Sequence, residues 1–227
     1  MKKFFIIYLL SAILLFSDRR TYCQGFLKAE GKQIVNGNGK PILLRGIGLG
    51  GWMLQEPYML QLSKVAGTQT EIKAKIAALI GDKNCEEFYT RYRNNMITAR
   101  DVDSIKAWGF NSIRLPMHYN LFTLPIEKEP LTGQNTWLKT GFDLTDNLRS
   151  GCRKNKIYLI LDLHAEPGGQ GNDRPIADVD TLKPQLWESI ENQQKTIFLW
   201  KKLAERYANE EWIGGYDLIN ETNYKME

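Results

Sequence analysis

Short apolar runs alternate with amphipathic segments of helical spacing along most of the chain. Four apolar runs predict strands, at 42–45, 110–115, 157–163 and 216–219. The run at 157–163 (IYLILDL) is nearly continuous, which is typical of a strand buried on both faces of a parallel sheet. Segments with apolar residues three and four apart predict helices at 70–80, 85–95, 99–108, 142–155 and 187–208. This alternation indicates right-handed parallel βαβ units.

Turn and capping residues set several of the expected boundaries. Two short strands are predicted within 26–44, around the turn at 36–39 (Asn-Gly-Asn-Gly), because Asn-Gly favours tight hairpins. Thr98 is the predicted N-cap of the helix at 99–108, with Asp101 in its first turn. Pro116 is expected to end the second strand of the sheet.

Four such strands with their helices predict an α/β fold, the N-terminal half of a (β/α)8 TIM barrel preceded by a short β-hairpin. A complete barrel takes about 250 residues, and the elements are spaced too widely for eight repeats in 227 residues. A doubly wound sheet is the structural alternative, and its phosphate-binding glycine loop opens a helix. The glycine-rich segment 46–51 (GIGLGG) runs instead into Trp-Met-Leu-Gln-Glu-Pro. The sequence therefore disfavours a Rossmann-like oxidoreductase.

The first 23 residues have the pattern of an export signal. Lys2 and Lys3 precede a 13-residue apolar stretch at 4–16, and polar residues follow at once. A membrane span needs about 20 apolar residues, so a retained anchor or a buried helix is the less favoured alternative. We expect cleavage after Cys23 and a secreted or periplasmic protein without membrane association. Lipidation of Cys23 is disfavoured because the residues before it, Arg-Thr-Tyr, are not small.

Charge and cysteine content exclude several classes of partner. The first 23 residues carry three of the four net positive charges of the chain, so we expect no nucleic-acid partner. Cys85 and Cys152 lack metal-ligand spacing, and the chain has two histidines, His118 and His164. We therefore expect no zinc site and no cofactor. The two cysteines form either one disulfide or, as we favour, two buried free thiols.

Polar residues collect at the predicted carboxyl ends of the strands. Function in a parallel barrel is located at these ends, so residues of different strands meet on one rim. Each residue alone has a structural explanation, such as an ion pair between Arg114 and Asp162 or a core position for His164. Their convergence predicts a site. Its candidates are Trp52, Glu56, Arg114, His118, Tyr119, Asp162, His164, Glu166, Asn220 and Glu221.

Four stretches in order carry a resemblance to a known family. They are LLRGIGLGGWMLQEPY at 43–58, WGFNSIRLPMHYN at 108–120, LILDLHAEPGGQ at 159–170 and YDLINE at 216–221. From about residue 26 onward the chain resembles glycoside hydrolase family 5, the cellulase family of retaining β-glycosidases. The forms GLGGW-EP and DLH-PGGQ are most similar to its exo-β-1,3-glucanase-like branch.

The resemblance implies roles for individual residues. Glu221 matches the general acid/base, and Asn220 matches the residue that contacts the sugar 2-hydroxyl. Arg114 matches the arginine that supports the nucleophile, and His164 matches the active-site histidine after the third strand. Further substrate-binding candidates on the rim are His118, Tyr119, Trp52 and Glu56. The family pattern places its nucleophilic glutamate on a later strand, beyond Glu227.

The sequence thus leads to a specific functional expectation. We expect residues 24–227 to be the front part of a retaining endo- or exo-acting β-glycosidase that hydrolyses β-glucan-type polysaccharides, monomeric when complete. This part alone would lack the nucleophile. A non-catalytic glycan-binding or degenerate barrel is the alternative. A nucleophilic glutamate in the remainder of the reading frame would separate the two.

Overall fold

The computed structural model describes residues 25–223, so the predicted leader with Cys23 lies outside the described residues. The chain divides into two compact units, one ending at residue 42 and one beginning at residue 43. In the first unit, β1 (Lys28–Glu30) and β2 (Gln33–Val35) form an antiparallel hairpin.

The regular hairpin lies earlier in the chain than predicted, although the predicted turn at 36–39 is also present. The chain turns between β1 and β2 at Gly31, which has a left-handed φ of 58° that glycine adopts readily. The segment 36–39 forms a second turn instead. There the Asn36 side chain accepts hydrogen bonds from the backbone of Asn38 (3.0 Å) and Lys40 (3.1 Å). The backbone on either side of this turn is paired, because Val35 and Pro41 form an antiparallel bridge and the Ile42 N–H donates to the Ile34 carbonyl at 2.9 Å.

The second unit is built on a four-stranded, wholly parallel sheet. Its strands follow one another in sequence order, as in a (β/α) barrel wall, which confirms the predicted half barrel. The strands are β3 (Gly46–Gly48), β4 (Ser112–His118), β5 (Tyr158–Ala165) and β6 (Ile213–Asp217).

Helices lie between the strands close to the predicted positions, except for one short helix at 174–177 that was not predicted. They are α1 (Gln69–Ile80), α2 (Asp82–Met96), α3 (Ala99–Ala107), α4 (Lys139–Asn155), α5 (Arg174–Ala177) and α6 (Ile190–Tyr207). The predicted start of α3 is confirmed, since the backbone N–H and the hydroxyl of Thr98 both donate to the Asp101 carboxylate at 2.7 Å. Three single 3-10 turns cover Tyr119–Leu121, Ile126–Lys128 and Leu186–Glu188.

The first strand lies later than predicted. The Asn111 side chain accepts from the Arg45 N–H (2.6 Å) and donates to the Leu43 carbonyl (2.9 Å). This amide occupies the backbone groups that a strand at 42–45 would use for pairing. Regular pairing with β4 consequently begins at Gly46, within the glycine-rich segment.

The other two corrected boundaries also have physical causes. Pro116 lies inside β4 and does not end it. The Arg114 carbonyl faces β3, because it accepts from the Leu49 N–H (3.0 Å), and groups two residues apart on a strand face the same side. The nitrogen of Pro116 therefore faces the side of β3, at a level where β3 has already ended. The missing N–H consequently costs no hydrogen bond between the two strands.

β6 begins at Ile213, before the predicted 216, because its backbone pairs with β5 from there.

The two faces of the sheet differ in chemistry. One face carries fully buried apolar side chains that pack with helical residues such as Leu199 and Leu203 of α6; on β4 and β5 these are Ile113, Leu115, Met117, Leu159, Leu161 and Leu163. The residues between them, including Arg114, Asp162 and His164, face the other side. Because side chains of a strand alternate between its two faces, Arg114, Asp162 and His164 lie together on the face opposite the helices, called the inner face below.

Two further expectations concern cysteines and membranes. Cys85 and Cys152 are buried and are not joined in a disulfide, which confirms two free thiols. Burial raises the pKa of the Cys152 thiol to about 12. Among residues 25–223, the structure contains no helix with the length and apolarity needed to cross a bilayer.

Candidate active site

Arg114 links the inner face of three strands. Its Nη2 atom lies 3.0 Å from Asp162 Oδ2 and 3.0 Å from Asp217 Oδ2, on the two following strands. It also donates to Asn220 Oδ1 at 2.6 Å. The pair of Arg114 with Asp162 is the one that the sequence offered as a structural explanation of these two residues. The arginine therefore fixes the segment after β6 to the middle of the sheet.

His164 lies between two buried carboxylates. Its Nδ1 is 2.7 Å from Asp162 Oδ2, and its Nε2 is 3.6 Å from Glu56 Oε1. Burial alone lowers the pKa of His164, but the hydrogen bonds and charges of Asp162 and Glu56 outweigh burial and raise the pKa to about 9. At neutral pH the ring is consequently an imidazolium that neutralises part of the acidic cluster.

This arrangement predicts a specific pH dependence for the variant His164→Gln. The folded-state pKa of His164, about 9, is above its ordinary value of 6.5. The stabilisation that its proton provides is therefore complete below pH 6.5 and is lost as the pH rises through 9. We expect wild-type protein to exceed the variant in free energy of unfolding by roughly 3 kcal/mol more at pH 6 than at pH 10. Urea unfolding across this range measures the difference. A difference independent of pH would contradict the assignment.

Glu56 is a buried, ionised carboxylate held by its neighbours. Burial raises its pKa, but hydrogen bonds with His164 and Tyr58 and the charge of Arg114 lower the pKa below its ordinary value overall. The Tyr58 hydroxyl donates to Glu56 Oε2. This bond and burial raise the pKa of Tyr58 to about 12, and the residue remains 54% exposed. Glu56 thus anchors an exposed aromatic ring beside the cluster.

Asn220 completes the cluster and precedes Glu221. Its side chain is buried, with Oδ1 facing Arg114 and Nδ2 lying 3.3 Å from His164 Nε2. This orientation of the amide is fixed, because arginine can only donate. Glu221 is exposed and has a left-handed φ of 44°. The geometry therefore presents a carboxyl group to solvent directly after a fixed, buried asparagine.

Glu166 is a second carboxyl group of unusual environment. It is 1% exposed, and neither side-chain oxygen has a hydrogen-bond partner among the described residues. Burial, together with the charges of Asp162 and Asp217, raises its pKa well above the ordinary value. Burial at this position therefore favours the protonated form of Glu166.

His118 and Tyr119 lie beside the rim in a different set of contacts. The Nε2 atom of His118 lies 2.9 Å from Asp178 Oδ2, and its Nδ1 accepts from the Asn120 N–H at 3.1 Å. Asp178 also accepts from the N–H (2.8 Å) and hydroxyl (2.6 Å) of Thr70. Tyr119 is half-buried and packs on the His118 ring, with centroids 5.1 Å apart. Both ring nitrogens of His118 are thus used in contacts with Asp178 and Asn120, which stabilise the loops beside the rim.

The structure does not bring Trp52 to this cluster. Its side chain is 3% exposed within the hydrophobic core, and its indole N–H donates to the Arg93 carbonyl of α2 at 2.8 Å. Trp52 therefore has no exposed face for a sugar in this arrangement. Among residues 25–223, no three His, Cys, Asp or Glu side chains are grouped so that they could hold a metal ion.

The fold and the polar cluster at the carboxyl ends of its strands define this chain as part of a (β/α)-barrel protein. A family model described as cellulase (glycosyl hydrolase family 5) matches residues 64–227. The chain belongs to glycosyl hydrolase family 5, as its four sequence stretches suggested.

Curated relatives agree with this membership. The chain is 35% identical over 196 residues to a beta-xylosidase of Phanerodontia chrysosporium, covering 86% of this chain and 39% of that protein. It is 30% identical over 187 residues to a glucan 1,3-beta-glucosidase of Blumeria graminis, covering 78% of this chain and 40% of the relative. The chain thus spans about two fifths of the length of the curated relatives it matches.

Solved structures show the same fold at low sequence identity. The rutinosidase from Aspergillus niger has a TM-score of 0.55 at 18% identity, covering 78% of this chain and 48% of that one. A hyperthermophilic endocellulase from Pyrococcus horikoshii has a TM-score of 0.51 at 16% identity, covering 90% of this chain and 45% of that one. At these identities the structures support the fold alone.

Proposed function

We propose that the protein carrying this chain is a retaining β-glycosidase, endo- or exo-acting, that hydrolyses β-glucan-type polysaccharides with Glu221 as general acid/base. The observation that carries the proposal is the cluster of Arg114, His164 and Asn220 directly before the exposed Glu221. Membership in family 5 and the names of the curated relatives support the substrate class.

Retention of configuration requires two carboxyl groups about 5–5.5 Å apart, one of them a nucleophile. Glu56 is engaged by His164 and Tyr58, and Glu166 is 1% exposed, so neither is free to attack a sugar. We infer that the nucleophile follows residue 227 in the complete barrel, where Arg114 would support it. Glu221 would protonate the leaving oxygen and then deprotonate the attacking water.

The cluster also provides contacts for the sugar. The Asn220 amide nitrogen carries two N–H groups, and the protonated His164 ring cannot accept from them, so they can donate to the sugar 2-hydroxyl. The exposed ring of Tyr58, anchored on Glu56, could stack on a pyranose face. We further propose that the protein acts outside the cytoplasm, which the basic start and the apolar stretch at 4–16 support.

The anomer that is released first tests this proposal. Full-length protein is incubated with an aryl β-glucoside or with β-1,3-glucan, and the products are followed by proton NMR. We expect the β-anomer to form first and to mutarotate later, because two displacements at the anomeric carbon retain configuration. Initial release of the α-anomer would contradict the mechanism. Binding of glucan without turnover would favour the non-catalytic barrel instead.

A further inference from the structure

Gln170 joins the ends of two strands. It lies in the loop after β5, and its side chain is completely buried. Its Nε2 atom donates to the His164 carbonyl at 2.9 Å and to the Asn220 carbonyl at 3.0 Å. Both N–H groups of the amide therefore hold backbone oxygens at the centre of the candidate site.

This link lies where the regular sheet has ended. The pairing of β5 with β6 ends at Asp162 and Asp217. Beyond that pair, the Asn220 N–H donates to the Leu163 carbonyl at 3.2 Å. Gln170 adds a link between the two segments beyond their last paired residues. Its bond reaches the peptide that joins Asn220 to Glu221.

The peptide held by Gln170 determines where the Glu221 side chain points. The Asn220 carbonyl and the Glu221 N–H belong to one peptide unit, and rotation of this unit about the Glu221 N–Cα bond is the angle φ. That angle is 44°, a left-handed value that is unfavourable for a glutamate. Such a conformation persists when the surrounding structure fixes it. The bond from Gln170 supplies such a constraint.

Gln170 is itself held in place from the other side of its loop. Its backbone carbonyl accepts from the Trp187 indole N–H at 2.8 Å, and the preceding Gly169 carbonyl accepts from the Leu186 N–H at 3.0 Å. Gly169 has a φ of 81°, and a Cβ there would lie 2.8 Å from the Val179 Cβ. These contacts therefore fix the backbone at Gln170, from which the side-chain amide extends to the two strand ends.

From this geometry we propose that Gln170 is a positioning residue for the acid/base, which fixes the Asn220–Glu221 peptide so that the Glu221 carboxyl points at the leaving-group oxygen. The inference rests on the proposed function. Without the amide, Glu221 would sample several orientations, and the fraction of time in which it can protonate a leaving group would fall. Substrate binding would change little, because Gln170 is buried beneath the rim.

The variant Gln170→Met tests this, because methionine has similar length but no donor. In the full-length protein we expect kcat to fall by about 30- to 100-fold on glycosides with poor leaving groups, as a small misplacement of a catalytic group does. On activated aryl glycosides, which need little protonation, the glycosylation rate should fall by less than about threefold. The KM values should remain within about threefold of wild type.

Asn111→Leu is the matched control. Asn111 also uses its amide for two backbone hydrogen bonds between neighbouring segments, but at the opposite end of β4. We expect it to lower thermal stability without any dependence of kcat on the leaving group. If Gln170→Met does not fold, Gln170→Glu, which keeps the length and loses donors, should show the same selectivity. Equal losses on all leaving groups, or the same pattern in Asn111→Leu, would overturn the assignment.

Glu221→Gln in the same assay separates this inference from the proposed function. If the losses of Glu221→Gln do not depend on the leaving group, the proposed acid/base itself fails. If the losses of Glu221→Gln depend on the leaving group and the losses of Gln170→Met do not, only the positioning role of Gln170 fails.

Discussion

Replacing Glu221 with glutamine should reduce kcat of the full-length protein on poor leaving groups by about 10³-fold, the usual contribution of a general acid. Glutamine keeps the shape of the side chain and removes the proton that the leaving oxygen needs. Activated aryl glycosides should lose much less in the glycosylation step. Steady-state rates on a series of aryl glycosides with graded leaving groups measure the difference.

Azide provides an independent readout for the same variant. A small anion can attack the glycosyl-enzyme without general-base help, so azide should restore deglycosylation and release a β-glycosyl azide of retained configuration. Glu205→Gln is the control, because it makes the same charge change at an exposed position on α6. An equal loss across all leaving groups without an azide product would remove Glu221 from the acid/base role.

Asn220→Ala should have the second largest effect, a loss of about 10²- to 10³-fold in kcat. A hydrogen bond to the sugar 2-hydroxyl strengthens in the transition state and contributes several kcal/mol there. The variant also removes the oxygen that accepts from Arg114 at 2.6 Å. Because the interaction is made mainly in the transition state, kcat and kcat/KM should fall together while KM changes little.

A 2-deoxy substrate tests the origin of this loss. With its 2-hydroxyl absent, Asn220→Ala should cost almost nothing further, since the partner of the amide is already gone. Asn223→Ala is the control, because its side chain accepts from the Asn172 N–H at 2.7 Å outside the cluster. If Asn220→Ala lowered only thermal stability and left kcat intact, the residue would be a structural asparagine at the end of the strand.

The sheet and its helices could be predicted because both follow from periodic burial. The run at 157–163 had few polar positions, and β5 is buried on both faces. Counting residues to the strand ends also placed polar residues of different strands on one rim, and Arg114 and Asn220 do meet there. Such counting works because carboxyl ends of parallel strands share one edge.

The parts that could not be predicted depend on single long-range contacts. Nothing in the local sequence shows that the Asn111 amide occupies the backbone before β3, or that Trp52 turns toward α2. Asp178 lies in a loop without periodic pattern, and its link to His118 and Thr70 exists only in the folded chain. Glu166 was located near the rim, but its burial, with no hydrogen-bond partner for its carboxyl group among residues 25–223, was not predictable.

The loop between β5 and α6 has one further consequence, for the lengths that this part of the chain can tolerate. Surface loops usually accept insertions and deletions with little cost. This loop bonds at successive points to three other segments: Gln170 and Asn172 reach the segment after β6, Arg174 reaches Glu71 at the start of α1, and Asp178 reaches Thr70 and His118. A residue added at one of these fixed points would displace the contact made there. Variation in length at this edge of the barrel is therefore confined to the positions between these fixed points.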